Sequence, residues 1–250
     1  MPEAEWHIEV RDLTMAYGEF VVQRDLSFGI RPGAVFIVMG ASGCGKTTLL
    51  RHMVGLMQPS RGEVFYGGAP YWSAAPEERR GLTRRFGVMF QGGALWSSMT
   101  LAENVSLPLE AYTDLPATAI REIASLKLAL VGLAGFEDHY PAEISGGMQK
   151  RGGIARAMAM DPEILFLDEP SAGLDPISSR RLDELILELR DSLGATVVVV
   201  THELPSIFAI GTDSVFLDEE ARTIIARGDP RTLRDECEVE KVRRFLRREG

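Results

Sequence analysis

Eight consecutive residues, Gly40, Ala41, Ser42, Gly43, Cys44, Gly45, Lys46 and Thr47, fit the pattern G-x-x-x-x-G-K-[ST]. Glycines in such a loop let the chain curl until successive amide N–H groups face inward, toward phosphate oxygens. Lys46 would reach the outer phosphates, and the Thr47 hydroxyl would ligate Mg²⁺. The apolar run at 35–39 reads as a buried strand, and Thr48 opens a run with helical spacing of apolar residues. That helix would add the positive end of its dipole to the site. Strand, loop and helix in this order predict nucleotide-phosphate binding.

Further residues could complete a reaction centre. Residues 164–167 are apolar and run into Asp168, Glu169 and Pro170, a buried strand with two acids at its carboxyl end, where open α/β sheets bind ligands. Asp168 would hold the metal and Glu169 would polarise an attacking water; the alternative is an acidic turn. Gln91 ends a short apolar run at 86–90 and could contact Mg²⁺ or the water, or simply close a strand. His202 ends the run at 195–201; it could donate to a terminal phosphate, cap the next helix, or do both. Tyr17 lies upstream of the loop, placed either to stack on a purine or to pack on the sheet. Ser145, Gly146 and Gly147 open a helix whose first amides would be bare, either a second anion site or an ordinary cap.

The elements that must position these residues alternate between strands and helices, as an α/β domain requires. The 250 residues, 45% hydrophobic and 25% charged, suffice for one large α/β domain or for one domain with a small appendage. Residues 7–13 read as an edge strand, and 25–30 alternate again before a turn at 31–33 leads into the phosphate-loop strand. Residues 76–85 suggest a short surface helix, and 100–140 a helical lobe interrupted at Pro108 and Pro116. Residues 215–217 and 223–226 suggest a hairpin, and 229–248 a charged helix pair whose Val239, Val242, Phe245 and Leu246 form one stripe. A formal charge of −9 without a concentrated basic stripe argues against nucleic acid as a partner. Cys44 and Cys237 form no metal or disulfide spacing, which fits a reducing compartment. Residues 1–5 lack the layout of a signal peptide, and no apolar run approaches a membrane span.

The order phosphate loop, Gln91, Ser145-Gly146-Gly147, Asp168-Glu169, Asp175 and His202 resembles the ATP-binding cassette (ABC) family over about residues 7–228. The resemblance implies an α/β phosphate-loop NTPase with a RecA-like core sheet, an antiparallel β-subdomain and an inserted helical subdomain. It divides the single domain into a nucleotide-binding core with β-subdomain (7–90 and 161–228), a helical lobe with the signature helix (92–160) and a helical tail (229–250). The cofactors implied are ATP and Mg²⁺. Tyr17 would stack on adenine, residues Gly40 to Thr48 would cradle the phosphates, and Thr47, Gln91 and Asp168 would hold the metal. Glu169, His202, Gln91 and Lys46 would carry the hydrolysis. In this family two copies associate head to tail, so the Ser145-Gly146-Gly147 helix of one closes on nucleotide held by the other, with Asp175 near the seam.

The usual signature Leu-Ser-Gly-Gly-Gln is here Ile144-Ser145-Gly146-Gly147-Met148, and Met148 lacks the amide of glutamine. This form, followed by Lys150 and Arg151, is similar to the ATPase subunits of Mla/Mce-type lipid transporters. Residues 90–95, 104–109 and 173–176 look like that subgroup as well. The resemblance implies a homodimer bound to an integral membrane permease at the cytoplasmic face of the inner membrane. A small regulatory subunit and a lipid-binding Mce-type protein are further implied partners. The chain stops at Gly250, so the long tail by which some relatives reach a neighbouring ATPase is not expected.

Overall fold

The computed structural model describes residues 6–249, so residues 1–5 lie outside it. Two sheets carry the fold. The larger has six strands in the order β10-β9-β3-β8-β7-β6: β3 is Val35–Gly40, β6 Phe86–Met89, β7 Ile164–Asp168, β8 Thr196–Val200, β9 Asp213–Asp218 and β10 Thr223–Arg227. From β6 to β9 every pairing is parallel, and only the β9–β10 hairpin is antiparallel. The smaller sheet is antiparallel, with order β2-β1-β4-β5. It comprises β1 (Ile8–Tyr17), β2 (Phe20–Ile30), β4 (Arg61–Tyr66) and the short β5 (Ala69–Pro70).

The parallel strands read as unbroken apolar runs because both their faces are covered. Alternate residues go to opposite sides. Ile37, Leu165, Leu167, Val197 and Val199 pack beneath the helices, whereas Phe36, Val38, Phe166, Val198 and Val200 face the antiparallel sheet and the helix after the phosphate loop. That helix is α1 (Lys46–Met53). The other helices are α2 (Pro76–Thr83), α3 (Leu101–Tyr112), α4 (Ala117–Leu130), α5 (Gly146–Ala157), α6 (Pro176–Leu193), α7 (Leu204–Ile210), α8 (Pro230–Glu236) and α9 (Glu240–Arg247). On α6, Leu182, Leu185, Ile186 and Leu189 are buried, each such side chain contributing about 1.5–3 kcal/mol.

Two sequence expectations need correction. Residues 7–13 were expected at a sheet edge, but β1 lies between β2 and β4, and the edges are β2 and β5. Pro108 was expected to interrupt the helical lobe, yet α3 runs through it. Proline removes one backbone donor there, and the buried face of Leu101, Ala102, Val105 and Leu109 offsets that loss. The tail stripe packs on its own chain: Val242 and Leu246 are buried, and Phe245 meets Phe216 edge-on with ring centroids 5.1 Å apart.

Candidate functional site

The carboxyl ends of β3, β6, β7 and β8 lie along one edge of the sheet, because these strands are parallel neighbours. There the chain leaves the sheet as the phosphate loop, as Gln91, as Glu169 and as His202. Ser42, Gly43, Gly45, Lys46, Thr47, Thr48, Gln91, Glu169 and His202 line one cleft of about 300 Å³. A larger groove of about 410 Å³ lies between α4, α5 and α6 and contains none of the phosphate-loop residues. The chemistry converges on the smaller cleft.

Local geometry explains the loop. Gly45 has φ 102°, and a Cβ there would stand 2.8 Å from Val22 Cγ1, so both backbone and space call for glycine. The buried Lys46 ammonium donates to the carbonyls of Gly40 and Ala41, each at 3.0 Å, holding the curl. Cys44 fills the loop's inner side at 2% exposure, and burial pushes its thiol up from the ordinary range.

Thr47 donates its hydroxyl proton to Asp168 Oδ1 at 3.0 Å, across the two strand ends. Burial raises the Asp168 carboxyl above its usual value, opposed by the Thr47 bond and reinforced by Glu169. A hydroxyl and a carboxylate so close form a hard-oxygen pair, the donor set Mg²⁺ takes when phosphates supply further ligands. No cluster of three or more His, Cys, Asp or Glu side chains is found among the described residues.

Glu169 follows with φ 50°, a left-handed conformation that non-glycine residues adopt at a cost of about 1–3 kcal/mol. Its amide donates to the Val200 carbonyl, fixing it to β8. His202 Nδ1 lies 2.7 Å from Glu169 Oε1; an ionised carboxylate only accepts, so that nitrogen carries the proton. Glu169 Oε2 is buried without a hydrogen-bond partner, and its place in the cleft wall suits an incoming donor such as water.

Apart from Gln91, which lines the cleft, the remaining candidates stand elsewhere. Gln91 opens a 3-10 turn, Gln91–Gly93, held by Arg156 of α5, whose guanidinium donates to the Gly93 and Ala94 carbonyls at 2.9 Å. Tyr17 is half exposed at the end of β1, where its hydroxyl meets Met57 Sδ at 3.6 Å; it does not line the cleft. Ser145 caps α5, accepting from the Met148 amide at 3.3 Å. Ser145 and Gly147 border the larger groove and not the phosphate cleft of the same chain, while Gly146 is exposed beside them. Asp175 caps α6 through the amides of Ile177 and Ser178; the Ser178 side chain first, and these amides with it, hold its carboxyl below the usual range.

Three contacts escape sequence reasoning. Arg156 grips the Gln91 turn, Lys150 reaches the loop after Glu169, and Asp183 accepts from Ser206, whose hydroxyl also meets that of Ser171. Each joins distant segments and follows no spacing rule; only basic residues on an otherwise apolar helix hint at the first two.

A strand, glycine-rich loop and helix on a parallel sheet, with acids at the neighbouring strand ends, define a phosphate-loop nucleotide-binding fold. The family model described as "ABC transporter" matches residues 23–172. The chain is 35% identical over 243 residues to the intermembrane phospholipid transport system ATP-binding protein MlaF of Haemophilus influenzae, covering 97% of this chain and 91% of that protein. It is 41% identical over 197 residues to the probable ribonucleotide transport ATP-binding protein mkl of Mycobacterium tuberculosis, covering 79% of this chain; it spans 55% of that relative's length. The ATP-binding cassette MJ0796, solved as a dimer bound to ADP and Pi, superposes with a TM-score of 0.80 at 29% identity, covering 89% of this chain and 98% of that one. The chain belongs to the ABC transporter family.

Proposed function

We propose that this chain is the ATP-binding and hydrolysing subunit of a transporter that moves phospholipid or another lipid in the bacterial envelope. The observation that carries the reading is the convergence of Lys46, the Thr47–Asp168 pair and the His202–Glu169 pair on one cleft. Near full-length similarity to a phospholipid transport ATP-binding protein supports the cargo class. The name of the mycobacterial relative favours a second reading of the cargo, a ribonucleotide.

Bound MgATP supplies the phosphoryl group and the metal charge that screens it. The chain's residues do the rest. The loop from Gly40 to Thr48 and Lys46 bind the phosphates; Thr47, Asp168 and Gln91 hold Mg²⁺; Tyr17 stacks on the base. Glu169 takes the proton of the attacking water, and His202 orients that carboxylate and contacts the terminal phosphate. The Ser145-Gly146-Gly147 amides and Asp175 act on the cleft of a second, head-to-tail copy, so phosphate contacts from both copies favour the closed dimer. The core, helical lobe and tail described from sequence are the working parts. No described helix is long and apolar enough to cross a membrane, so an integral permease at the inner membrane carries the cargo path. A small regulatory subunit and a lipid-binding protein complete the proposed assembly.

The test is Glu169→Gln. It keeps the shape of the side chain but removes the base, so turnover should fall at least about 100-fold, with MgATP binding retained and a dimer trapped in gel filtration. Near-normal turnover would remove Glu169 from the role of base. Failure of the wild type to bind MgATP would overturn the ATPase reading. Phospholipid co-purifying with the assembled complex would support the lipid cargo; ribonucleotide uptake would replace it.

A further inference from the structure

Lys150 is buried on α5 at 7% exposure, and its ammonium makes no ion pair among the described residues. It points instead into the turn after β7, where it donates to the backbone carbonyls of Ala172 and, at 3.4 Å, Glu169. The turn has weak internal bonding: Ala172 N reaches Glu169 O at 3.4 Å, and Leu174 N reaches Ser171 O at 3.1 Å. Its opposite side is anchored by Ser171, whose hydroxyl lies 3.0 Å from Ser206 Oγ, itself a donor to the buried Asp183 at 2.9 Å. Glu169 holds its φ of 50° inside this clamp. A strained backbone persists where its surroundings over-determine it, and a buried cation is costly unless its donors are used.

We infer that Lys150 is a positioning residue for hydrolysis: by gripping the Glu169 and Ala172 carbonyls it holds Glu169 in its left-handed conformation and ties that carboxylate to the helix that begins at Ser145. The inference rests on the ATPase reading above. On that reading α5 faces the partner's nucleotide while Glu169 serves its own, so Lys150 links the two sites of a dimer within one chain. Lys150 does not line the phosphate cleft, so its loss should leave nucleotide binding intact.

The experiment compares wild type, Lys150→Met and Lys150→Arg in the full-length chain, reading kcat, KM, the Hill coefficient for MgATP, affinity for a non-hydrolysable ATP analogue, and hydrogen exchange of the amides in 169–174. A misplaced reacting group costs about 10- to 100-fold in rate. Lys150→Met should lose kcat in that range and show a Hill coefficient near one, with analogue affinity within about twofold. The amides of 169–174 should exchange faster. Lys150→Arg, which can still donate to both carbonyls, should recover most of the rate. Should the methionine variant not fold, Lys150→Gln takes its place. Unchanged kcat in a folded variant, or an affinity loss equal to the rate loss with no rescue by arginine, would overturn the inference alone. A wild type that neither binds nor hydrolyses ATP would overturn the functional reading, and the inference with it.

Discussion

Asp183 should make the chain's stability depend on pH in a way one substitution can erase. Its carboxylate, 4% exposed on α6, accepts a single hydrogen bond, from Ser206, and its Oδ1 has no partner. Burial pushes the carboxyl up from 3.8 to about 6, opposed by Ser206 and reinforced by Glu184. The folded state therefore holds this proton more tightly than the unfolded state. The associated stability is fully present below pH 3.8 and is lost as pH rises through about 6. At about 1.4 kcal/mol for each tenfold change in proton affinity, the loss is about 3 kcal/mol. Asparagine keeps the shape and cannot ionise, and its unpartnered amide costs about 1–3 kcal/mol at every pH alike. Urea denaturation of wild type and Asp183→Asn between pH 4 and pH 7.5 isolates the pH-dependent part. The stability of the variant relative to wild type should climb by about 2.5 kcal/mol across that range, since about 0.5 kcal/mol of the linkage is already spent at pH 4. A difference that stays flat within about 0.5 kcal/mol would refute the assignment, since additivity at one site allows no larger drift.

Two further outcomes are expected. Trp96 is 62% exposed on the turn after Gln91, so Trp96→Asp should leave analogue binding within about twofold while abolishing stimulation by the proposed permease; unchanged co-purification with that permease would count against a docking role. Asn104, fully buried, bonds the Trp96 amide and the carbonyls of Trp96, Met99 and Thr100. Asn104→Ala strands several of these groups and should cost about 2–4 kcal/mol in a urea melt.

The sheet was legible because strands buried on both faces are written as continuous apolar runs, and Val35, Ile164 and Val197 each begin one. The phosphate loop was legible because only certain residues let a backbone bind anions. Strand order was not: nothing in the runs themselves says that β3 lies between β8 and β9 or that β6 pairs with β7. Yet that order puts Gln91, Glu169 and His202 into one cleft. The place of β1 inside its sheet escaped for the same reason, since alternation marks a half-buried strand and not its neighbours. Gln23 is fully buried and donates to the carbonyls of Cys44 and Asp218. It reads in sequence as one polar residue in an alternating strand, because its partners are distant backbone atoms.

The same reasoning explains why α5 matters beyond its capping serine. Three of its cations each reach backbone carbonyls of a different segment: Lys150 the turn at Glu169 and Ala172, Arg151 the end of α4 at Val131 and Gly132, and Arg156 the Gln91 turn at Gly93 and Ala94. Carbonyls carry no identity, so these contacts leave no mark on the sequences they touch. They do constrain motion. Gly153 packs so closely that a Cβ there would stand 2.8 Å from the Gly93 backbone, which leaves the Gln91 turn little freedom to shift without α5. A rigid helix bonded to three loops transmits displacement as a unit. The Gln91 turn, the end of α4 and the carbonyl of Glu169 are therefore all bonded to one helix, the one that Ser145 caps.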